Sequence, residues 1–170
     1  MIQDIADPDW MLRDSLTPIF ERMIELNLRL DALVLPAHLA NLRLLLQRHS
    51  QLQCVIDHAA KPSIATASWQ PWADHMAELA AGTNSYCKLS GLLTEAGGRS
   101  DDDALRPYVA HLLACFGAQR LMWGSDWPVL TLASDYSEWQ QQSERLLQHL
   151  PGAERDAIFG ATAKTFYGLE

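Results

Sequence analysis

Several catalytic signatures are missing from this 170-residue sequence. It contains no HxH pair, no HExxH helix, no glycine-rich phosphate loop and no GxSxG turn. Zincins, nucleotide-binding proteins and serine hydrolases depend on the last three motifs for their chemistry, so these classes lack support.

Basic side chains and long apolar runs are also scarce. The sequence has 13 Lys and Arg against 21 Asp and Glu, which gives a formal net charge of −8. Nucleic acids and anionic membranes recruit Lys and Arg, and a membrane span needs about 20 consecutive apolar residues. We therefore expect neither a nucleic acid nor a membrane as partner.

Cysteine is infrequent and has no recognisable spacing. Cys54, Cys87 and Cys115 lie in apolar segments, and no CxxC pair is present. Widely spaced cysteines of this kind are typical of buried free thiols. The start of the sequence has early aspartates and no apolar core, so it does not look like a secretory signal. The expected location is the cytoplasm.

Short apolar runs alternate with amphipathic segments of helical length. The pattern predicts strands at 28–35, 52–57, 86–89 and 120–124, with helices before, between and after them, among them a helix at 37–49 and a last helix at 153–166. Strands that alternate with helices form a parallel sheet with right-handed crossovers. No linker or repeat divides the chain, so residues 1–170 are interpreted as a single α/β domain.

Polar side chains follow three of the predicted strands. His58 ends the second, Lys88 and Ser90 end the third, and Asp126 follows the fourth. Because the carboxyl ends of parallel strands meet at one edge, these side chains should lie close together. Period-two alternation points Asp57 away from His58, which favours a structural role for Asp57.

Each candidate also has a plain structural interpretation. His58 could bond to a neighbouring backbone group, and Asp126 could belong to a turn before the following proline. Lys88 lies inside a strand, where its ammonium needs a carboxylate or a ligand as partner. Trp127 could form a wall of the site or pack against the protein.

Three blocks, 55–62, 86–91 and 120–128, together with the tail 158–169, resemble the amidohydrolase-related family of TIM-barrel hydrolases. Within that family the likeness is greatest to the sugar lactonases (fuconolactonase-like) and the pyrone dicarboxylate hydrolases. The most specific block runs Gly-Ser-Asp-Trp-Pro from Gly124 to Pro128.

The resemblance implies a role for each candidate residue. Asp126 would act as general base on the hydrolytic water, and His58 would polarise the carbonyl or bind a metal. Lys88, Ser90 and Trp127 would line the substrate pocket. The implied reaction is attack of water on the carbonyl of a sugar lactone or a related cyclic ester.

The sequence also departs from the family. The family opens with a strand that carries an HxH pair, whereas Met1–Asp4 resemble the chain just after the fourth strand. The resemblance thus implies a partial TIM (β/α)8 barrel, about its second half, with strands five to eight. A complete barrel typically needs about 250 residues.

Two questions stay open from the sequence. The cofactor is either none or a divalent metal of the zinc or manganese type, with His58 and Asp126 as ligands if a metal is bound. The chain is either a lactone hydrolase impaired in isolation or a non-catalytic half-barrel. Such a half-barrel would self-associate or pair with a separate N-terminal half.

Overall fold

Strands and helices alternate along the chain, as the apolar pattern predicts. The structure is a computed structural model that describes residues 5 and 7–169. Met1–Asp4, where the resemblance predicts the start of the match, lie outside the described residues. The elements are α1 (Thr17–Glu25), β1 (Arg29–Ala32), α2 (Leu39–Arg48), β2 (Gln53–Ile56), α3 (Trp72–Gly82), β3 (Tyr86–Leu89), α4 (Asp102–Phe116), β4 (Leu121–Trp123), α5 (Tyr136–Leu147), α6 (Gly152–Asp156) and α7 (Thr162–Tyr167).

The four strands form one sheet in the order β1-β2-β3-β4, and every neighbouring pair is parallel. This confirms the predicted α/β architecture. All four strands therefore end at the same edge of the sheet, where ligand-handling groups collect in parallel α/β proteins.

The two faces of the sheet bury different partners. Ala32, Ile56 and Leu89 belong to the main core, which they share with the helices. That core includes the apolar stripe of α2, formed by buried leucines at positions 39, 42, 45 and 46. On the other face, Val55 and Met122 pack against Phe166 of α7.

Several predicted boundaries differ from the structure: the first and fourth strands, for example, run over Arg29–Ala32 and Leu121–Trp123 instead of 28–35 and 120–124. The second strand ends at Ile56 instead of residue 57, because the chain turns sharply at once. The predicted helix 37–49 begins at Leu39, since Pro36–His38 form a separate 3-10 turn. The predicted last helix is interrupted by a π-helical turn at Ala157–Ala161.

The three cysteines are free thiols, as expected. Cys54 and Cys87 are buried and Cys115 is half-buried. Burial raises the pKa of all three thiols above the ordinary value, which makes them poor nucleophiles. Across residues 5 and 7–169, no helix is both long and apolar enough to cross a membrane.

Candidate active site

His58 lies in a left-handed turn that follows β2. The φ angles of the four residues from His58 to Lys61 are 51°, 51°, 57° and 54°. A left-handed turn costs about 1–2 kcal/mol per residue that is not glycine, so it persists only where its surroundings hold it. Trp72 supplies one such contact, because its indole Nε1 donates to the carbonyl oxygen of Ala59 at 2.8 Å.

Asp126 occupies a similar position after β4. Its φ is 58°, and its side chain is only 10% exposed. The carbonyl of Gly124, two residues earlier, accepts a hydrogen bond of 2.9 Å from Nε1 of the buried Trp139. Each of the two side chains, His58 and Asp126, therefore belongs to a turn with an unfavourable backbone conformation, and a buried tryptophan donates a hydrogen bond to each turn.

These turns bring His58, Ser90 and Asp126 together. His58 Nδ1 lies 2.8 Å from Ser90 Oγ, and His58 Nε2 lies 3.4 Å from Asp126 Oδ1. The neighbouring Gly91 has φ of 65°, and a Cβ there would stand 2.6 Å from the Cβ of His58. Glycine is thus required both by the backbone conformation and by the imidazole packed against it.

The environment of Asp126 raises the pKa of its carboxyl above the ordinary value. Burial raises the pKa of this carboxyl, while the positive charges of His58 and Lys61 act against the rise. Lys61 forms an ion pair with Glu95, and the negative charges of Asp57 and Glu95 add to the rise. A carboxyl whose pKa moves towards neutral pH is a better general base.

Lys88 belongs to a separate polar cluster on the face of the sheet that α7 covers. Its Nζ lies 2.7 Å from Asp31 Oδ2 and 2.7 Å from Asp57 Oδ1. Burial lowers the pKa of Lys88, but the hydrogen bonds to these carboxylates outweigh it and leave that pKa above the usual range. Tyr167 donates to Asp31 Oδ2 at 2.8 Å, and burial raises the pKa of Tyr167 to about 12.

The structure therefore groups three of the five candidate residues. Among the described residues, no hydrogen bond or ion pair connects Lys88 to His58 or Asp126. Trp127 has 67% of its surface exposed, and its backbone N–H donates to the hydroxyl of Ser125 at 3.2 Å. The substrate-binding roles of Lys88, Ser90 and Trp127 stay predictions.

Comparison with known proteins shows the family to which the chain belongs. A protein-family model described as Amidohydrolase matches residues 2–169. The chain belongs to the amidohydrolase family. The resemblance of the strand-end blocks to that family is thus confirmed, and the four parallel strands form part of an amidohydrolase barrel.

Individual amidohydrolases resemble the chain over its whole length. An L-fucono-1,5-lactonase from Burkholderia ambifaria is 44% identical and matches 100% of this chain but only 60% of its own length. A solved amidohydrolase from Burkholderia multivorans with bound zinc is 35% identical with a TM-score of 0.94, covering 99% of this chain and 63% of that one. A Pseudomonas putida structure assigned as a 2-pyrone-4,6-dicarboxylic acid hydrolase is 27% identical with a TM-score of 0.75, covering 100% and 61%. The chain thus spans about 60% of these relatives.

The amidohydrolase chain does not complete a metal site from its described residues. Two ligands on a tetrahedral zinc lie about 3.3 Å apart, close to the 3.4 Å between His58 Nε2 and Asp126 Oδ1. A protein zinc site, however, has three or four protein ligands. Residues 5 and 7–169 bring together no group of three or more His, Cys, Asp or Glu side chains suited to a metal.

Sequence reasoning missed two contributors to the site. Gly91 is one, although its place directly after Ser90 at a strand end is a recognisable sign of a tight approach. The other is Glu95, whose ion pair with Lys61 connects the 92–101 loop to the His58 turn. Nothing in the spacing of Lys61 and Glu95 indicates that pairing, because it depends on how the loop folds.

Proposed function

We propose that this amidohydrolase chain carries the water-activating part of a lactonase site, with Asp126 as general base and His58 assisting. The observation that carries the proposal is the buried Asp126 carboxyl, with a raised pKa and His58 Nε2 only 3.4 Å away. The 44% identity to an L-fucono-1,5-lactonase supports L-fucono-1,5-lactone, or a related sugar lactone, as substrate.

The reaction begins with a water molecule next to Asp126. The carboxylate removes a proton from the water as its oxygen bonds to the lactone carbonyl carbon, and the carbonyl oxygen becomes negatively charged. His58 stabilises that charge by donating a hydrogen bond from Nε2. When the carbonyl re-forms, the ring C–O bond breaks, and the proton held by Asp126 passes to the departing ring oxygen. The product is the open hydroxy acid.

The proposed reaction does not require a metal, although the site could bind one. Zinc is bound in the similar Burkholderia multivorans structure. His58 and Asp126 could supply two ligands to a divalent metal of the zinc or manganese type, provided that others come from outside the described residues. Such a metal would polarise the lactone carbonyl, and no step above depends on it.

We propose further that the chain alone is a poor catalyst, because about 40% of the length of the lactonase that it resembles has no counterpart in the match. The test measures acid release from L-fucono-1,5-lactone by the chain alone and by the chain mixed with that remaining part of the Burkholderia ambifaria lactonase. We expect a rate near background alone and at least about tenfold more in the mixture. Equal background rates in both samples would contradict the proposal.

The second candidate function is self-association of a non-catalytic half-barrel. Its support is that β1 and β4 each pair on one side only within the described sheet. Beside them lie exposed apolar side chains, Leu28 directly before β1 and Tyr136 against Trp123 of β4. Unpaired strand edges are templates for association, and a twofold arrangement could set β4 of one copy beside β1 of another.

Sedimentation tests this second candidate. A dimer at micromolar concentration that releases no acid from the lactone, alone or in the mixture, supports it. A stable monomer contradicts it, and a monomer that binds the remaining part of the lactonase points to a separate N-terminal half as partner.

A further inference from the structure

We propose that Ser90 is a positioning residue that donates its hydroxyl proton to Nδ1 of His58 and thereby keeps the imidazole proton on Nε2. This differs from the substrate-binding role that the sequence predicts for Ser90. The tautomer rests on hydrogen bonding alone, whereas its catalytic use rests on the proposed function.

The burial of Ser90 gives the first argument. Only 1% of the residue is exposed, so its hydroxyl cannot exchange hydrogen bonds freely with water or touch a substrate. Among the described residues, the one hydrogen-bond partner of Ser90 Oγ is His58 Nδ1, at 2.8 Å.

The direction of this hydrogen bond follows from the need to satisfy the buried proton. If Nδ1 carried the imidazole proton and donated to Oγ, the hydroxyl proton of Ser90 would have no acceptor. A buried hydroxyl left in that state is destabilising, and buried polar groups in native proteins are nearly always paired. Donation from Ser90 to Nδ1 leaves no group unpaired, and the neutral imidazole then carries its proton on Nε2.

The position of Asp126 gives the second argument. A protonated Nε2 points at a carboxylate acceptor, whereas a bare Nε2 would place two acceptors face to face. The separation of 3.4 Å exceeds the usual 2.7–3.2 Å of a full N–H···O bond. The Nε2 proton is therefore only loosely engaged and can turn to a substrate carbonyl oxygen, which is the assisting role assigned to His58.

Local packing fixes the serine and the imidazole together. A Cβ on Gly91 would stand 2.8 Å from the Cγ of His58, and a Cβ on Gly124 would stand 3.3 Å from the Cβ of Ser90. Glycines at these two positions therefore leave the space in which the ring and the hydroxyl meet. Ser90 directly follows β3, whose last residue Leu89 accepts a backbone hydrogen bond of 3.1 Å from Gly124, and the His58 turn places the imidazole against the serine.

The test is nitrogen NMR of the histidine rings at about pH 8, where an ordinary imidazole is neutral. His38 provides an internal reference, because the backbone N–H of Leu35 donates to its Nδ1 at 3.1 Å and so requires the proton on Nε2. In the unmodified chain, we expect His58 to show the same tautomer as His38.

Two variants separate Ser90 from Asp126. In Asp126→Ala, Ser90 Oγ is the one remaining hydrogen-bond partner of the ring among the described residues, and we expect the Nε2 proton to persist. In the double variant Ser90→Ala with Asp126→Ala, we expect at least a fivefold fall in the ratio of the two tautomers, while His38 stays unchanged. An unchanged His38 signal also shows that the variants fold.

Two results would overturn the proposal: a proton on Nδ1 in the unmodified chain, or an unchanged tautomer ratio in the double variant. These outcomes are independent of lactone hydrolysis, so failure of the proposed function would be recognised separately. If the mixture described above is active, Ser90→Ala should lower kcat at least about tenfold with little change in KM. Ser90→Thr, which keeps the hydroxyl, should restore most of that loss.

Discussion

At the scale of single residues, the candidate site depends on backbone conformations that most side chains avoid. His58, its three successors and Asp126 all have positive φ, and so does Gly91 beneath the imidazole. Strained residues of this kind persist where function or packing requires them. In this chain they orient two side chains whose strands would otherwise point them elsewhere.

Gly91→Ala should disrupt the site more than its backbone conformation alone explains. An added Cβ would stand 2.6 Å from the Cβ of His58, in addition to the left-handed strain of about 1–2 kcal/mol. The matched control is Gly168→Ala, where φ is 66° in the left-handed region and the nearest atom to the added Cβ, at the end of the Arg29 side chain, is an ordinary 3.8 Å away. Urea unfolding should give a loss of about 1–2 kcal/mol for the control and about 3 kcal/mol or more for Gly91→Ala. Equal losses would show that His58 does not occupy this position.

Asp126→Asn should change how stability depends on pH. Because folding raises the pKa of this carboxyl above its ordinary 3.8, the folded protein binds the proton more tightly than the unfolded chain. Stability from this group is therefore present at low pH and is lost as pH rises through the folded pKa. Relative to the unmodified chain, Asp126→Asn should gain stability over that range, by about 1.4 kcal/mol per unit of pKa shift. Parallel stability curves from pH 3.5 to about pH 7 would contradict the raised pKa.

The part of the site that could be predicted from the sequence was the set of polar residues at strand ends. His58, Ser90 and Asp126 were all found in this way, because parallel strands end at one edge. The orientation of His58 was not accessible, since period-two alternation fails where φ turns positive. Asp57, which alternation pointed away from His58, pairs with Lys88 in the separate cluster, and its negative charge still acts on Asp126.

At the scale of secondary-structure elements, two helices support the turns that carry the site. Trp72 begins α3 and donates to Ala59 O, and Trp139 in α5 donates to Gly124 O. Each indole ring packs in the core, and its N–H donates a hydrogen bond to a backbone carbonyl in a turn. That carbonyl has no partner from regular secondary structure. The helices therefore fix the turns as well as cover the sheet.

Trp72→Phe and Trp139→Phe should each lower stability by about 1–3 kcal/mol, through a lost hydrogen bond and a carbonyl left unpaired in the interior. Trp127→Phe is the matched control, since that side chain is largely exposed and should change stability by less than about 0.5 kcal/mol. Thermal unfolding of the three variants measures the difference. A loss at Trp127 as large as at the buried tryptophans would refute the assignment of the support to α3 and α5.

The order and type of the elements were predictable, whereas their ends were less so. Helix α2 and strand β3 were predictable from their buried residues, because burial of one face of an element repeats at a regular spacing along the sequence. The π-helical turn at Ala157–Ala161 has no such repeat and was missed. Local hydrogen bonding decided these details, and sequence periodicity does not report it.

At the scale of the whole molecule, the Lys88 cluster connects the sheet to the end of the chain. Its ammonium joins the carboxylates of Asp31 and Asp57, and Tyr167 bonds to Asp31. Nearby, Arg29 Nε donates to the carbonyl oxygen of Phe166 at 2.8 Å. The cluster thus connects β1, the turn after β2, β3 and α7 on the face of the sheet opposite the main core.

Lys88→Met should destabilise the fold by about 1–3 kcal/mol, because two carboxylates would lose their shared cation. The pKa of Lys88 is raised, so its contribution is complete below about pH 10 and is lost only as pH rises through the folded pKa. The loss should accordingly be constant from pH 6 to about pH 9. Lys164→Met, on an exposed part of α7, is the control and should change little. A loss of stability no larger than that of the control would show that the Lys88 cluster does not stabilise the fold.

The most direct test of the account is the effect of Asp126→Asn on lactone hydrolysis. The assay measures kcat/KM for acid release from L-fucono-1,5-lactone by the chain mixed with the part of the Burkholderia ambifaria lactonase that it does not match. The control is Asp103→Asn, at a carboxylate whose side chain is 94% exposed. We expect Asp126→Asn to lower kcat/KM by about 10²–10⁴-fold, the usual contribution of a general base, and the control to leave it unchanged. Equal kcat/KM values for the Asp126→Asn and Asp103→Asn mixtures would contradict the account.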